Sequence, residues 1–323
     1  MRFIAFWFCL SFALNTNAQT IGQQVEIDLG ENPRHLAHIK NISTLELPAA
    51  KLGGEYLHSL SALAYSQDNK ILYALSDKGN LFWLRLNFNP GGYLENLRWL
   101  KTCKLKNANG KPLQGKKYAD AEGMDIINSN NGIKGDEILI VSFERKHRIW
   151  LMSPEGSFIK KLKLPTHYAK GPGFHKKNKG LESVTNHPAL GVLSSLEMPK
   201  KDKGQHQIFS LKPYKVWQVP RIQFKKASLT SMENMPNGSL LLLERSYNDL
   251  FTPLVIGLKR LDFNHKPELI KITQLALFNN ADNWYIDNFE GLAHIKSNRY
   301  CMVSDNNNDP WQRTLLTCFI VAD

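Results

Sequence analysis

Residues 288–295 read NFEGLAHI: a glutamate, a glycine, then a short apolar run. Related stretches stand earlier in the chain: DAEGMDII from Asp120, GLESVTNH from Gly180 and TSMENMPN from Thr230. LSALAYSQ from Leu60 has the same shape with Ser61 in place of the acid. Taking Ser61, Glu122, Glu182, Glu233 and Glu290 as markers, the spacings are 61, 60, 51 and 57 residues. A repeat of that period points to an array of supersecondary units.

Each marker opens a short apolar strand. A second strand follows and ends in an acid: ILYALSD (Asp77), ILIVSFE (Glu144), GVLSSLE (Glu197), LLLLE (Glu244) and YCMVSD (Asp305). Third strands read LFWLRLN, RIWLMS, HQIFSLK, LVIGLKRLD and TLLTCFIVA. Fourth strands read LRWLKTCKL, FIKKLKLP, VWQVPRIQF and LIKITQLAL. The last unit lacks a fourth strand of its own, and ISTLELPA, residues 42–49, precedes the first unit with the matching pattern. An N-terminal strand that completes the final sheet closes a ring and removes an edge. The expectation is an all-β propeller of five four-stranded blades, with six open if a long loop hides a degenerate blade. No amphipathic helix interrupts the strand pattern.

In an antiparallel pair the start of one strand lies beside the end of the next. The markers and the acids ending the second strands therefore belong to one rim of the ring. That reading gathers Asp77, Glu122, Glu144, Glu182, Glu197, Glu233, Glu244, Glu290 and Asp305 at a common channel mouth, with Lys78, Arg145 and Arg245 directly beside them. Such a set needs cations, interleaved bases or protons to relieve its repulsion. All-oxygen donors suit a hard cation such as Ca2+. Structure offers a rival use for the same acids, since a glutamate at a strand start can accept N–H bonds from the neighbouring blade or pair with an arginine.

The remainder of the chain narrows the classes. Formal charge is +12 over 323 residues, and 42% of them are hydrophobic. The composition supports a packed core and not a disordered chain. A basic surface suits an anionic partner, yet no nucleic-acid motif accompanies it. Residues 1–18, MRFIAFWFCLSFALNTNA, have the layout of a secretory leader, with residues 19–323 as the expected mature domain. Export to the periplasm or the medium is expected, with no membrane span and a monomeric state. Cys103, Cys301 and Cys318 then remain, and a symmetric hairpin would bring Cys301 opposite Cys318, where a disulfide is one option. No G-x-S-x-G elbow, H-E-x-x-H or EF-hand pattern occurs, and GKPLQGKK, residues 110–117, lacks the final Ser/Thr of a P-loop. His187 and His294 are expected to be interior structural histidines.

Together, GGEYLHSLSALAYSQDNKILYALSDKGN, DAEGMDI, NKGLESV, LLLLERS, and NFEGLAHI followed by MVSDNNND resemble an exported bacterial family described as phytase-like, or esterase-like activity of phytase. The resemblance runs from about residue 42 to the C-terminus. It implies a β-propeller and calcium-assisted attack on a phosphate ester. It maps onto Asp77, Glu122, Glu182, Glu244, Arg245, Glu290, Asp305 and Asn306. In two units the sequence departs from the pattern, with Ala62 and Asn234 where a glycine is usual after the marker. The expected catalytic residues are Glu122, Glu182, Arg145 and Arg245. The expected metal ligands are Asp77, Glu122, Glu182, Glu233, Glu244, Glu290 and Asp305, and the substrate is a small phosphorylated molecule. A non-catalytic propeller binding a ligand or an envelope protein on the same face is the competing class.

Overall fold

The computed structural model describes residues 18–30, 36–169, 180–198, 204–247, 252–266 and 268–322. Residues 1–17 of the expected leader lie outside this set.

Many strands are apolar on both faces because each sheet is packed on both sides. Leu72 and Ala74 of one strand point into a cluster shared with the last sheet, while Ile71, Tyr73 and Leu75 point into a cluster shared with the second. Leu139 and Val141 likewise face backward and Ile140 forward. Five large apolar clusters result, one for each contact between neighbouring sheets, including the last against the first, and a small one of Ile222, Ala227 and Val255 accompanies them. That arrangement is a ring of radially stacked blades.

Blade 1 runs outward through Leu60–Ser66, Ile71–Ser76, Asn80–Phe88 and Leu94–Lys104. Blade 2 comprises Ala121–Ile127, Ile138–Phe143, Arg148–Met152 and Phe158–Leu162. Blade 3 comprises Leu181–His187, Gly191–Leu196, Gln205–Ser210 and Val216–Pro220. Blade 4 comprises Ser228–Asn234, Leu240–Ser246, Val255–Phe263 and Leu269–Asn279. Blade 5 comprises Phe289–Lys296, Arg299–Ser304 and Thr314–Val321, and Ile39–Leu47 supplies its fourth strand, pairing Leu316 with Leu45. The expected closure is therefore present, and five blades account for the described residues.

A feature that the repeat did not signal reinforces that joint. Gln19–Ile21 adds to the outer edge of blade 1, and Gln23–Val25 adds to the outer edge of blade 5. Gly22, with φ of 101°, turns the chain from one sheet to the other. The N-terminal segment thus clasps both sides of the seam. Cys301 and Cys318 face each other in register and form a disulfide in the apolar cluster between blades 5 and 1.

The glutamate-glycine pair has a mechanical explanation. At the start of every inner strand the register slips, leaving Ser61, Glu122, Glu182, Thr230 or Glu290 in a β-bulge. A bulge frees one residue from the ladder and re-aims its side chain. The next residue faces the adjoining inner strand at close range. A Cβ on Gly123 would lie 2.6 Å from the Glu182 carbonyl oxygen and 2.8 Å from Ser183 Cα. One on Gly291 would lie 3.0 Å from the backbone of Ala62. Gly123→Ala is therefore expected to destabilise the ring by about 1–3 kcal/mol, since backbone must move to admit the methyl group. Denaturant unfolding checks this, and an unchanged midpoint would refute the close-approach account.

Candidate functional site

The bulges define which residues are equivalent, and they correct the expected alignment in blade 4. There the bulge falls between Leu229 and Ser231, at Thr230, not at Glu233. Spacings between bulges become 61, 60, 48 and 60 residues, from positions 61, 122, 182, 230 and 290. The residue following the partner of the pre-bulge residue is Asp77, Glu144, Glu197, Arg245 and Asp305 in blades 1 to 5. Around the mouth the pairs are thus Ser61 with Asp77, Glu122 with Glu144, Glu182 with Glu197, Thr230 with Arg245, and Glu290 with Asp305. Blade 4 contributes a cation and no acid.

Glu233 and Glu244, both expected as metal ligands, are placed elsewhere. Glu233 pairs with Leu241, further along the inner strand, and its carboxylate accepts the N–H groups of Asn234 at 2.7 Å and His294 at 3.1 Å. Asp125 occupies the same step in blade 2 and accepts from Asn186 N at 2.5 Å and Thr185 Oγ1 at 2.9 Å. Both acids tie an inner strand to the next one. Glu244 is wholly buried and meets His206 Nε2 at 2.7 Å, Ile222 N at 3.0 Å and Lys259 Nζ at 2.9 Å. Burial alone would raise its carboxyl, but His206 and Lys259 overturn that and hold it below the ordinary range. It is a structural charge that ties blade 4 to blade 3. The misplacement came from a one-residue offset: LLLLER puts the acid where the other blades put their last strand residue, and the arginine where they put the acid.

The mouth itself is real and crowded with carboxyl groups. Carboxylate oxygens of Asp120, Glu122 and Glu144 lie within 4.8 Å of one another, as do those of Glu144, Glu182 and Glu197. Glu144 belongs to both groups. Asp120, two residues before the bulge, was not singled out by its sequence; it carries the ion pair to Arg145 Nε at 2.8 Å. Glu197 receives Ser228 Oγ at 3.3 Å and Arg245 at 3.7 Å. Glu290 is held by Arg245 and by Asn288 Nδ2 at 2.9 Å. Asp305 accepts from Asn307 N at 2.7 Å and lies outside both oxygen groups. Among the described residues, nothing hydrogen-bonds or ion-pairs with the carboxylates of Glu122 and Glu182, and Glu182 is only 6% exposed.

Two expected rim residues have other contacts. Lys78 is exposed, with its ammonium 3.3 Å from His58 Nδ1. Asn306 Oδ1 accepts from Ser59 N at 3.0 Å and so bridges blades 5 and 1. His187 is interior, accepting from Ala189 N and Leu190 N and meeting the Gly238 carbonyl, as expected.

Electrostatics follow from this crowding. Burial raises the Glu122 carboxyl far above the usual range, and Glu182 and Glu290 add to it. Glu182 is raised likewise by burial, then Glu197 and Glu144. Burial pushes Glu144 up to about 8, with Glu197 and Asp120 acting in the same sense. Burial, then Glu290, pushes Asp305 to about 8. Without a cation, burial and mutual repulsion favour the protonated form at these sites. A hard cation would take the place of those protons. The oxygen-only donor set and the unpartnered Glu182 fit such an ion.

The chain defines a class: a five-bladed, all-β propeller with a buried carboxylate cluster at one end of its channel. It belongs to the Phytase-like family, described as esterase-like activity of phytase, which matches residues 55–308. No curated protein matches the chain. Three solved structures that align with it are these. The Dos1 propeller covers 87% of this chain and 72% of its own at 11% identity, with a TM-score of 0.37. The PQQ-bound aldose sugar dehydrogenase of Streptomyces coelicolor covers 88% and 100% at 10% identity and 0.43. The Neurospora crassa Pan2 WD40 domain covers 82% and 90% at 10% identity and 0.39. Likeness at this level carries nothing about chemistry, and the ring rests on its own ladders and cores.

Two outcomes follow from this geometry. Glu244→Ala should cost about 3–5 kcal/mol by leaving Lys259 buried without its carboxylate. Equilibrium unfolding measures it, and a loss below about 1 kcal/mol would show that the pair is dispensable. The second outcome concerns pH. Glu144 and Asp305 have folded-state values above their unfolded ones, so folding takes up protons. Their contribution to stability is greatest at low pH and is lost as pH rises from the ordinary carboxylate range through about 8. Metal-free protein should melt at a lower temperature at about pH 9 than at about pH 5, and Glu144→Gln with Asp305→Asn should flatten that slope.

Proposed function

We propose that this protein is a divalent-cation-dependent phosphate-ester hydrolase acting at the acidic mouth. The observation that carries the reading is Glu182: a buried carboxylate without a partner among the described residues, flanked by Glu144 and Glu197 with oxygens within 4.8 Å. A group so placed is costly unless a cation or a proton satisfies it. Membership of the Phytase-like family gives the direction of the chemistry.

Glu122, Glu144 and Glu182 would hold Ca2+, with Asp120 and Glu197 at the sides. Bound there, the ion would supply positive charge to a phosphoryl oxygen and acidify a water. The chain's own groups do the rest. Arg245, fixed by Glu290 and Asn288, keeps a positive charge beside the carboxylates where an anionic ester enters. Arg145, half-exposed and oriented by Asp120, meets phosphate oxygens at the rim. Asp305 holds a proton near pH 7 and donates it to the departing alkoxide, a role that suits a pKa of about 8. The disulfide supports export to an oxidising compartment, where a leader over residues 1–18 would direct the chain. We take the working form to be a monomer acting on a small phosphorylated or otherwise anionic molecule.

The test uses purified protein and a panel of aryl and alkyl phosphate esters, including 4-nitrophenyl phosphate. Ca2+ should raise the melting temperature, and chelator should abolish turnover. Glu122→Gln and Glu182→Gln should each lower kcat/KM by about a hundredfold or more. Chelator-sensitive melting without turnover on any ester would make the mouth a binding site and end the hydrolase reading.

A further inference from the structure

A second cavity, of about 610 Å3, lies beside the mouth. Its wall includes Lys111, Leu113, Tyr118, Lys146, Arg148 and Trp150. The two sites share their walls. Asp120 follows Tyr118 by two residues on one loop, and Glu144 precedes Lys146 by two on another. Asp120 and Glu144 belong to the mouth, and Tyr118 and Lys146 to the cavity wall. No acidic side chain among the described residues lines the cavity.

Arg148 sits at its base and is only 4% exposed. Its guanidinium donates to the Lys146 carbonyl at 2.8 Å and to the Tyr118 carbonyl, and so joins the two loops. No carboxylate lies within ion-pair distance of it among the described residues. A buried guanidinium normally has an anionic partner. Its Nε, and Trp150 Nε1 beside it, lack acceptors among the described residues. Aromatic surface accompanies the charge. Arg148 lies 4.5 Å from the Trp150 ring centroid, and the Lys146 ammonium stands 4.8 Å over Tyr118, a ring 43% exposed. Asp120 acts on Arg148 only at longer range, and positive charge with unfilled N–H donors and flat faces in one concave space matches one ligand chemistry.

We propose that this cavity binds a planar organic anion, an aromatic or heterocyclic ring bearing a phosphate or carboxylate. The ring lies against Tyr118 and Trp150. The anionic group takes Lys146 and Lys111 and adds negative charge near Arg148. Cation–π contacts already present organise the site before the ligand arrives. The inference does not depend on hydrolysis at the mouth.

Isothermal titration of metal-stripped protein with 1-naphthyl phosphate tests it, with 1-naphthol and inorganic phosphate as partial probes. Naphthyl phosphate should bind, and each partial probe should bind at least about tenfold more weakly. Lys146→Glu and Tyr118→Ala, both at exposed positions, should each weaken binding by about tenfold, while Glu122→Gln leaves it unchanged. Equal affinity for 1-naphthol would show an apolar gap without anion recognition and overturn the proposal. So would binding that is insensitive to Lys146→Glu and Tyr118→Ala in correctly folded variants, or no binding at all. Loss of binding in Glu122→Gln alone would place the ligand in the mouth and also overturn it.

Discussion

Five inner strands have to pass close to one another around a single axis, and everything at the mouth depends on how that crowding is solved. The solution is a bulge at the start of each strand. It lifts one residue out of the ladder and lets the next backbone approach its neighbour. Where that approach is tightest the following residue is Gly123 or Gly291. Where the bulged residue is small and hydroxylated it binds across the joint instead: Ser61 Oγ donates to the Ala121 carbonyl at 2.6 Å, and Thr230 Oγ1 to the Phe289 carbonyl at 3.3 Å. Where it is a glutamate the side chain is left for the channel. A feature of backbone geometry thereby selects which acids remain available for chemistry.

The resulting charge distribution is uneven, and its asymmetry matters more than the count of acids. Arg245 replaces an acid in blade 4 and neutralises Glu290 and Glu197 on either side of it. Arg145 does the same for Asp120. What remains is a stretch from Glu122 through Glu144 to Glu182 with no ion pair to a cation among the described residues, Arg245 reaching Glu182 only at longer range. A fivefold scaffold carries a site on two or three of its blades. Other buried acids in the same chain are spent on cohesion, Glu244 between blades 3 and 4 and Asp125 and Glu233 between inner strands.

Much of this could be read directly. Two-sided apolar runs such as ILYALS and LLLL declare strands buried on both faces, and the unmatched ISTLELPA declares where the ring closes. The common rim for Glu122, Glu144, Glu182, Glu197, Glu290, Asp77 and Asp305 also followed from strand order alone. Glu233 and Glu244 did not. A one-residue or three-residue offset in an irregular unit is invisible when the only ruler is spacing, because a bulge changes register without changing composition. Asp120 escaped notice for a related reason: it precedes the strand, and its role depends on where the turn carrying Arg145 folds back.

The sequence by itself determined the repeat, the closing strand and the end of the ring at which acids collect, and left five or six units open. These follow from side-chain periodicity and chain direction, which are local properties. Only the tertiary structure decided which carboxylates share a space, which are satisfied by His206, Lys259 or backbone N–H groups, and that Glu182 has no such partner among the described residues. Those outcomes depend on distances of a few ångströms between residues far apart in the chain, set by bulge placement and blade packing. No pattern along the chain encodes them one residue at a time.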